Sequence, residues 1–281
     1  MVSAMRIAGW ILLAAAALVT AGCGGGTQTE ESAATASGAA IAVRADLAAG
    51  PANSVTVAWV FDLTDGWHLY WHGLNDSGYP PSVELSLPPG WTAGPLRWPV
   101  PVRYEMSGGI LDHVYFGRLV LLQDLTGPDG ARPAAPTTLT ARVRWLACRE
   151  ACVPGQQTVT LTVPGRERAL PAAPAVGLPD LPQPLPDGLV QARWEGDALA
   201  VTVPGARALR FFPDADTGPY EDLLADGETD GERMRLRLRR RDGNLGPVHG
   251  LLQIVRSDGG VLTGPFAAPA RPTAEHTNHG G

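Results

Sequence analysis

Short segments of alternating apolar and polar residues, each cut off by proline or glycine, constrain this chain more than any other feature. Val55, Val57, Trp59 and Phe61 recur at period two; so do Val83, Leu85 and Leu87, then Leu139, Ala141, Val143 and Trp145, then Val159, Leu161 and Val163. A period of two sends one face of a strand to a core, whereas helices repeat at 3.6. Pro88-Pro89-Gly90 and Pro164-Gly165 end two of these segments. With 34 glycines and 26 prolines in 281 residues, such punctuation recurs too often for long helices. Ile41–Ala48 alternates weakly, and Tyr115–Leu125 reads as one longer apolar run.

Residues 166–188 contain six prolines and no periodicity, which predicts a semi-rigid extended linker. A second set of segments follows at Leu189–Trp194, Leu199–Val203, Ala208–Phe212, Met234–Arg239, Val248–Arg256 and Val261–Phe266. Asp242-Gly243 and Gly259-Gly260 are turn signals between them. The predicted class is therefore all-β, as two β-sandwich domains over 41–165 and 189–268, with a disordered tail over 269–281. A barrel is the main alternative architecture. No long amphipathic helix lies between strands, which argues against an α/β fold.

The first 22 residues read as a targeting segment. Arg6 precedes an apolar run from Ile7 to Val19. That run is shorter than the roughly 17–25 residues a membrane-spanning helix needs. Leu18-Val19-Thr20-Ala21-Gly22-Cys23 resembles a lipobox, in which Cys23 is lipidated and becomes the mature N-terminus. Residues 23–40 then form a flexible tether rich in Gly, Ser, Thr and Ala. The expected location is the cell envelope, lipid-anchored and facing the periplasm. An ordinary signal peptide cleaved near Ala21 is the plainer reading.

Charge narrows the function classes. The net charge of −6 lacks the basic surface that nucleic-acid binding requires. The chain has no lysine, so Schiff-base and P-loop lysine chemistry is excluded. Ser77 lacks the Gly-rich elbow of a hydrolase nucleophile.

The sharpest local feature is Trp145-Leu146-Ala147-Cys148-Arg149-Glu150-Ala151-Cys152-Val153-Pro154. An exported chain meets an oxidising compartment, where a Cys148–Cys152 disulfide is permitted. Along a straight strand the two Cα atoms would lie ~13 Å apart. A disulfide needs roughly 4.4–6.8 Å, so a bonded pair requires a turn at the end of the preceding strand. A five-residue loop gains only about 2 kcal/mol from closure, against about 3 for fifteen residues. The pair is a weak staple, which favours redox use. Arg149 beside it favours a thiolate and Glu150 opposes one.

Trp145, Cys148, Cys152 and Pro154 form a Trp-x-x-Cys-x-x-x-Cys-x-Pro pattern that resembles the N-terminal periplasmic domain of the DsbD/ScsB family of disulfide reductases. Gly66-Trp67-His68-Leu69-Tyr70-Trp71 with Asp76-Ser77-Gly78, and Trp98-Pro99-x-Pro101-x-Arg103-Tyr104, are similar to further segments of that family in the same order. Leu209-Arg210-Phe211-Phe212-Pro213 is similar to the second periplasmic domain of ScsB-type members. His72 and Gly73 depart from the family, which often has Arg and Asn there.

The resemblance implies an immunoglobulin-like domain that passes electrons to oxidised partners. Cys152 would form the mixed disulfide and Cys148 would resolve it, with Trp145, Pro154, Tyr70 and Trp71 supporting the pair. It implies thioredoxin-like periplasmic partners. The chain carries no multi-helix membrane domain and no Cys-x-x-Cys, so a membrane disulfide reductase is expected to recharge it in trans.

Two other readings stand beside this one. A non-catalytic interaction lipoprotein would keep the cysteines as a passive disulfide. A copper-handling protein would use His68, His72, His113 and Met106 with the cysteines, since imidazole and soft sulfur suit copper. The exchange reading needs no metal or cofactor.

Overall fold

The period-two segments form strands, and residues that share a parity share a core. The structure is a computed structural model that describes residues 41–217, 227–237 and 247–269. The signal peptide, Cys23, the tether, Arg239 to Arg241, the Asp242-Gly243 turn and the tail beyond Pro269 lie outside the described residues.

Two antiparallel sheets make the first half. One runs β1 (Ile41–Ala49), β2 (Val55–Leu63), β8 (Arg118–Thr126), β5 (Thr92–Ala93) in spatial order. The other runs β10 (Cys152–Val163), β9 (Thr137–Cys148), β3 (His68–Tyr70), β7 (Ile110–Phe116), β6 (Val102–Met106), with β4 (Ser82–Ser86) also paired to β9. Their facing sides bury Trp59, Phe61, Leu69, Trp71, Leu121, Val143 and Trp145 in one core. Phe61 of the first sheet meets Trp145 of the second edge-on, with ring centroids 6.4 Å apart. Such aromatic pairs add about 0.5–1.5 kcal/mol beyond the area they bury.

The second half repeats the plan. One sheet has the order β11 (Gln191–Glu195), β12 (Ala198–Thr202), β15 (Arg233–Arg237). The other has the order β14 (Glu228–Thr229), β13 (Ala206–Pro213), β16 (His249–Arg256), β17 (Val261–Ala267). Leu199, Val201, Leu209, Phe211, Leu236, Leu252 and Ile254 form its core. The protein is all-β, built as immunoglobulin-like sandwiches of antiparallel sheets.

The apolar run from Tyr115 to Leu125 spans two strands. Gly117, at φ +67°, breaks it into β7 and β8, which belong to different sheets. That left-handed conformation suits glycine and lets the chain turn the corner of the sandwich. Strand β2 buries both faces rather than one. Ala58 and Val60 join Val120 and Leu122 in a cluster covered by Val176 and Leu181 of the proline-rich stretch. That stretch is laid against both halves. Ala49 N–H donates to Pro171 O at 2.8 Å, and Gln183 N–H donates to Thr263 O at 2.8 Å.

The halves also meet directly. Phe212 of β13 packs in the first core, and Leu111 of β7 packs in the second. Leu74 N–H donates to Pro213 O at 2.8 Å.

Candidate functional site

Strands β9 and β10 form a hairpin whose last register pair is Cys148 with Cys152. Arg149, Glu150 and Ala151 make the turn, closed by Arg149 N–H donating to Ala151 O at 3.3 Å. The turn required by the spacing is present. It brings the cysteine Cα atoms to 4.1 Å, and the two sulfurs are bonded. The Arg149 guanidinium sits 5.4 Å from the Trp67 ring centroid and pins the tip. The two cysteines differ in surroundings: Cys148 is 3% exposed, whereas Cys152 is exposed, as is the rest of the tip.

Parity decides which neighbours the pair has. In antiparallel strands, residues directly opposite each other share a face. Cys148 is opposite His68, His68 is opposite Phe116, and Tyr70 is opposite Val114. Tyr104 is opposite Asp112. The outer face of the second sheet therefore gathers Cys148, Cys152, His68, Tyr70, Tyr104, Asp112, Val114 and Phe116. The intervening residues Trp67, Leu69 and Trp71 point the other way, into the core. A five-residue run, Trp67 to Trp71, thus supplies core and site alternately.

Tyr70 is 1% exposed, and its hydroxyl oxygen lies 3.7 Å from Cys152 Sγ. Burial raises the phenol above its ordinary range, so the hydroxyl keeps its proton. Gly78 explains how the ring is held. It sits at φ +67°, and a Cβ there would overlap the Tyr70 ring. The loop carrying Gly78 is tied to β7. Ser77 N–H and Oγ–H donate to the two carboxylate oxygens of Asp112 at 2.8 and 2.6 Å, and Leu111 N–H donates to Asp76 Oδ2 at 2.7 Å. Asn75 Oδ1 accepts from His113 N–H at 2.7 Å.

His68 is 1% exposed, enclosed by the rings of Tyr70, Tyr104 and Phe116 at 5.2–5.5 Å. Neither ring nitrogen has a hydrogen-bond partner among the described residues. Burial lowers the imidazole below its ordinary value, and the Asp112 carboxylate partly opposes that shift.

Trp145 and Trp71 back the site from the core side. Gly155 lies on the Trp145 ring, where a Cβ would collide. Pro154 lies on edge strand β10, where a missing N–H costs no ladder bond. It borders an open groove of about 460 Å³ shared with Tyr79, Arg144 and Gln156. His113 faces Trp71 and Phe212, on the side opposite His68. His72 lies against the rings of Trp71 and Trp98. The histidines named for copper thus do not converge. Among the described residues no group of three or more His, Cys, Asp or Glu side chains is placed to hold a metal ion.

Sequence reasoning passed over Asp112, Asn75 and Phe116. Asp112 had a signal: a carboxylate inside the apolar strand Ile110–Phe116 needs a buried partner.

The site is thus a bonded cysteine pair at a strand hairpin tip of an all-β sandwich, with Cys152 exposed and Cys148 buried. Residues 38–164 match the family model of the thiol:disulfide interchange protein DsbD, N-terminal. The fold is similar to that of the N-terminal periplasmic domain of ScsB from Proteus mirabilis. The TM-score is 0.53 at 14% identity, over 82% of this chain and 93% of that one. The Neisseria meningitidis DsbD N-terminal domain in the reduced form aligns at 15% identity with a TM-score of 0.30, over 44% of this chain and 86% of that one. No curated protein matches the sequence.

Proposed function

We propose that this protein is a lipid-anchored module of the periplasm that carries two electrons at a time from a membrane disulfide reductase to oxidised, thioredoxin-like partners. The observation that carries this reading is the asymmetry of the pair. Cys152 is exposed at the hairpin tip and Cys148 is buried behind it. In the reduced form the exposed Cys152 thiolate attacks a partner disulfide. A Cys152–partner bond forms and one partner thiolate leaves. Cys148 then attacks Cys152 Sγ, the intramolecular disulfide forms, and the second partner thiolate departs. Each cycle oxidises the pair and reduces one partner disulfide. The reverse sequence, with a reduced membrane partner, recharges it. The anchor at Cys23 keeps the exchange near that membrane partner.

The test is the reduction potential of the pair, measured by equilibrating the protein with glutathione buffers and counting free thiols. Structural disulfides in exported proteins lie below roughly −300 mV. A clearly higher value is expected. A value at or below that limit would leave the pair as a passive staple and end the exchange reading.

A further inference from the structure

We infer that His68 is the base that takes the proton from the Cys148 thiol as Cys148 attacks Cys152 to release the bound partner. The inference rests on the exchange reading above and adds to it a group that neither the cysteine spacing nor the exposure of the pair identifies.

The need for such a base follows from burial. Cys148 packs under Tyr70, Val114, Tyr104 and Leu146. A thiol in apolar surroundings is inert unless its proton has somewhere to go, because the thiolate is the attacking species. The groups that face it from the packed strands are few. Tyr70 on β3 is a phenol held protonated by burial, so it donates rather than accepts. Asp112 on β7 already takes two hydrogen bonds from Ser77. Tyr104 on β6 is a phenol that shares the His68 side of the cluster. His68 stands directly across the strand pair from Cys148 on the same face, and in this disulfide-bonded form neither of its ring nitrogens has a hydrogen-bond partner among the described residues, the two sulfurs included, so both are open to a thiol formed on reduction.

A buried imidazole with no hydrogen bond is costly, and its retention calls for a reason such as a role in the chemistry. Burial also keeps this imidazole neutral near pH 7, the state that accepts a proton. The Asp112 carboxylate favours the imidazolium that forms.

In the step itself, the Cys148 S–H proton moves to an imidazole nitrogen of His68 as the Cys148–Cys152 bond forms. The Cys152–partner bond breaks, and the electron pair leaves on the partner sulfur. The imidazolium then returns its proton to the departing thiolate or to solvent. Two electrons pass from the cysteine pair to the partner, and His68 ends unchanged.

Such a base leaves a kinetic mark. When base and thiol exchange one proton internally, the reactive form does not change in population with pH above the base's own pKa. Without the base, the thiolate fraction rises tenfold per pH unit. The experiment uses the full chain with Cys23→Ser, reduced and mixed rapidly with dithiobis-nitrobenzoate. Attack by Cys152 releases one coloured thiolate at a rate that follows reagent concentration. Resolution by Cys148 releases a second at a rate that does not.

The wild-type resolving rate is expected to be flat within about twofold from roughly pH 6.5 to 8.5. In His68→Gln that rate is expected to fall on the order of 10²-fold at neutral pH and to climb tenfold per pH unit. A wild-type resolving rate that itself climbs tenfold per unit would overturn the inference, whether or not the variant folds. A His68→Gln profile as flat as wild type would overturn it too. Absence of the first release would instead remove the exchange reading, and this inference with it.

Discussion

The Tyr70 hydroxyl oxygen stands 3.7 Å from Cys152 Sγ, on a ring buried between Gly78 and the cysteine hairpin. Because burial keeps the phenol protonated, the hydroxyl is a donor aimed at a sulfur that becomes anionic on reduction. In Tyr70→Phe the ring and its packing remain and the donor is lost. We expect the Cys152 thiol to titrate higher and its alkylation at pH 7 to slow by roughly 5–10-fold, the effect of about 1 kcal/mol on a thiolate. Alkylation rates of the reduced protein across pH test this. Unchanged rates would mean the hydroxyl does not stabilise the thiolate.

Gly78 sets how closely the loop lies on that ring. Alanine there meets two penalties together, a left-handed φ and overlap with the Tyr70 ring. The first costs about 1–2 kcal/mol and the second about 1–3 kcal/mol. Gly78→Ala should therefore lose about 2–5 kcal/mol in denaturant unfolding. It should also perturb Cys152 reactivity, because Tyr70 is the residue that must shift. A loss below about 0.5 kcal/mol would show that the ring contact is slack.

Much of this layout was legible in the sequence. Alternation in Leu139 to Trp145 and in Val159 to Val163 marked β9 and β10, and the spacing of Cys148 and Cys152 demanded the turn between them. The alternation in Trp67 to Trp71 was equally visible, but nothing local says which parity faces the core when both consist of large rings. Trp71 reads from the motif as a companion of Tyr70, yet it packs on the opposite face. The run from Tyr115 to Leu125 concealed a corner because a lone glycine between apolar residues also fits a continuous strand. Burial of Ala58 and Val60 depended on Val176 and Leu181, which lie more than a hundred residues away. No periodicity carries that information.

The clamp between the loop and β7 is a separate, measurable unit. Ser77 gives both its N–H and its Oγ–H to the Asp112 carboxylate, and Asp112 is fully buried. Hydrogen bonds to a charged group contribute about 1.5–3 kcal/mol. Asp112→Asn and Ser77→Ala should each destabilise the fold, and the double variant should lose less than their sum by about 1–2 kcal/mol. Strict additivity in the double-mutant cycle would show that the two side chains act independently.

His113 makes the stability of the junction between the halves depend on pH. It is 0% exposed, lies between Trp71 and Phe212, and shares its Nδ1 proton with Leu74 O at 2.8 Å. Burial lowers its pKa from 6.5 to about 4. The shift is opposite to that of a histidine gaining an acidic partner. Between about pH 4 and 6.5 the unfolded chain binds a proton at this residue and the folded chain does not. Stability therefore rises with pH across that window. It is fully present above about pH 6.5 and is lost as pH falls towards 4, by roughly 3 kcal/mol in total. His68, also lowered by burial, adds to the slope in the same direction. Urea unfolding of wild type and His113→Gln at steps across this window separates the contributions. The variant should be less stable at neutral pH, having lost the fit between Trp71 and Phe212, and its stability should fall less steeply with acid. Parallel curves would mean that His113 is protonated in the folded protein, and that the contact between the halves has opened around it.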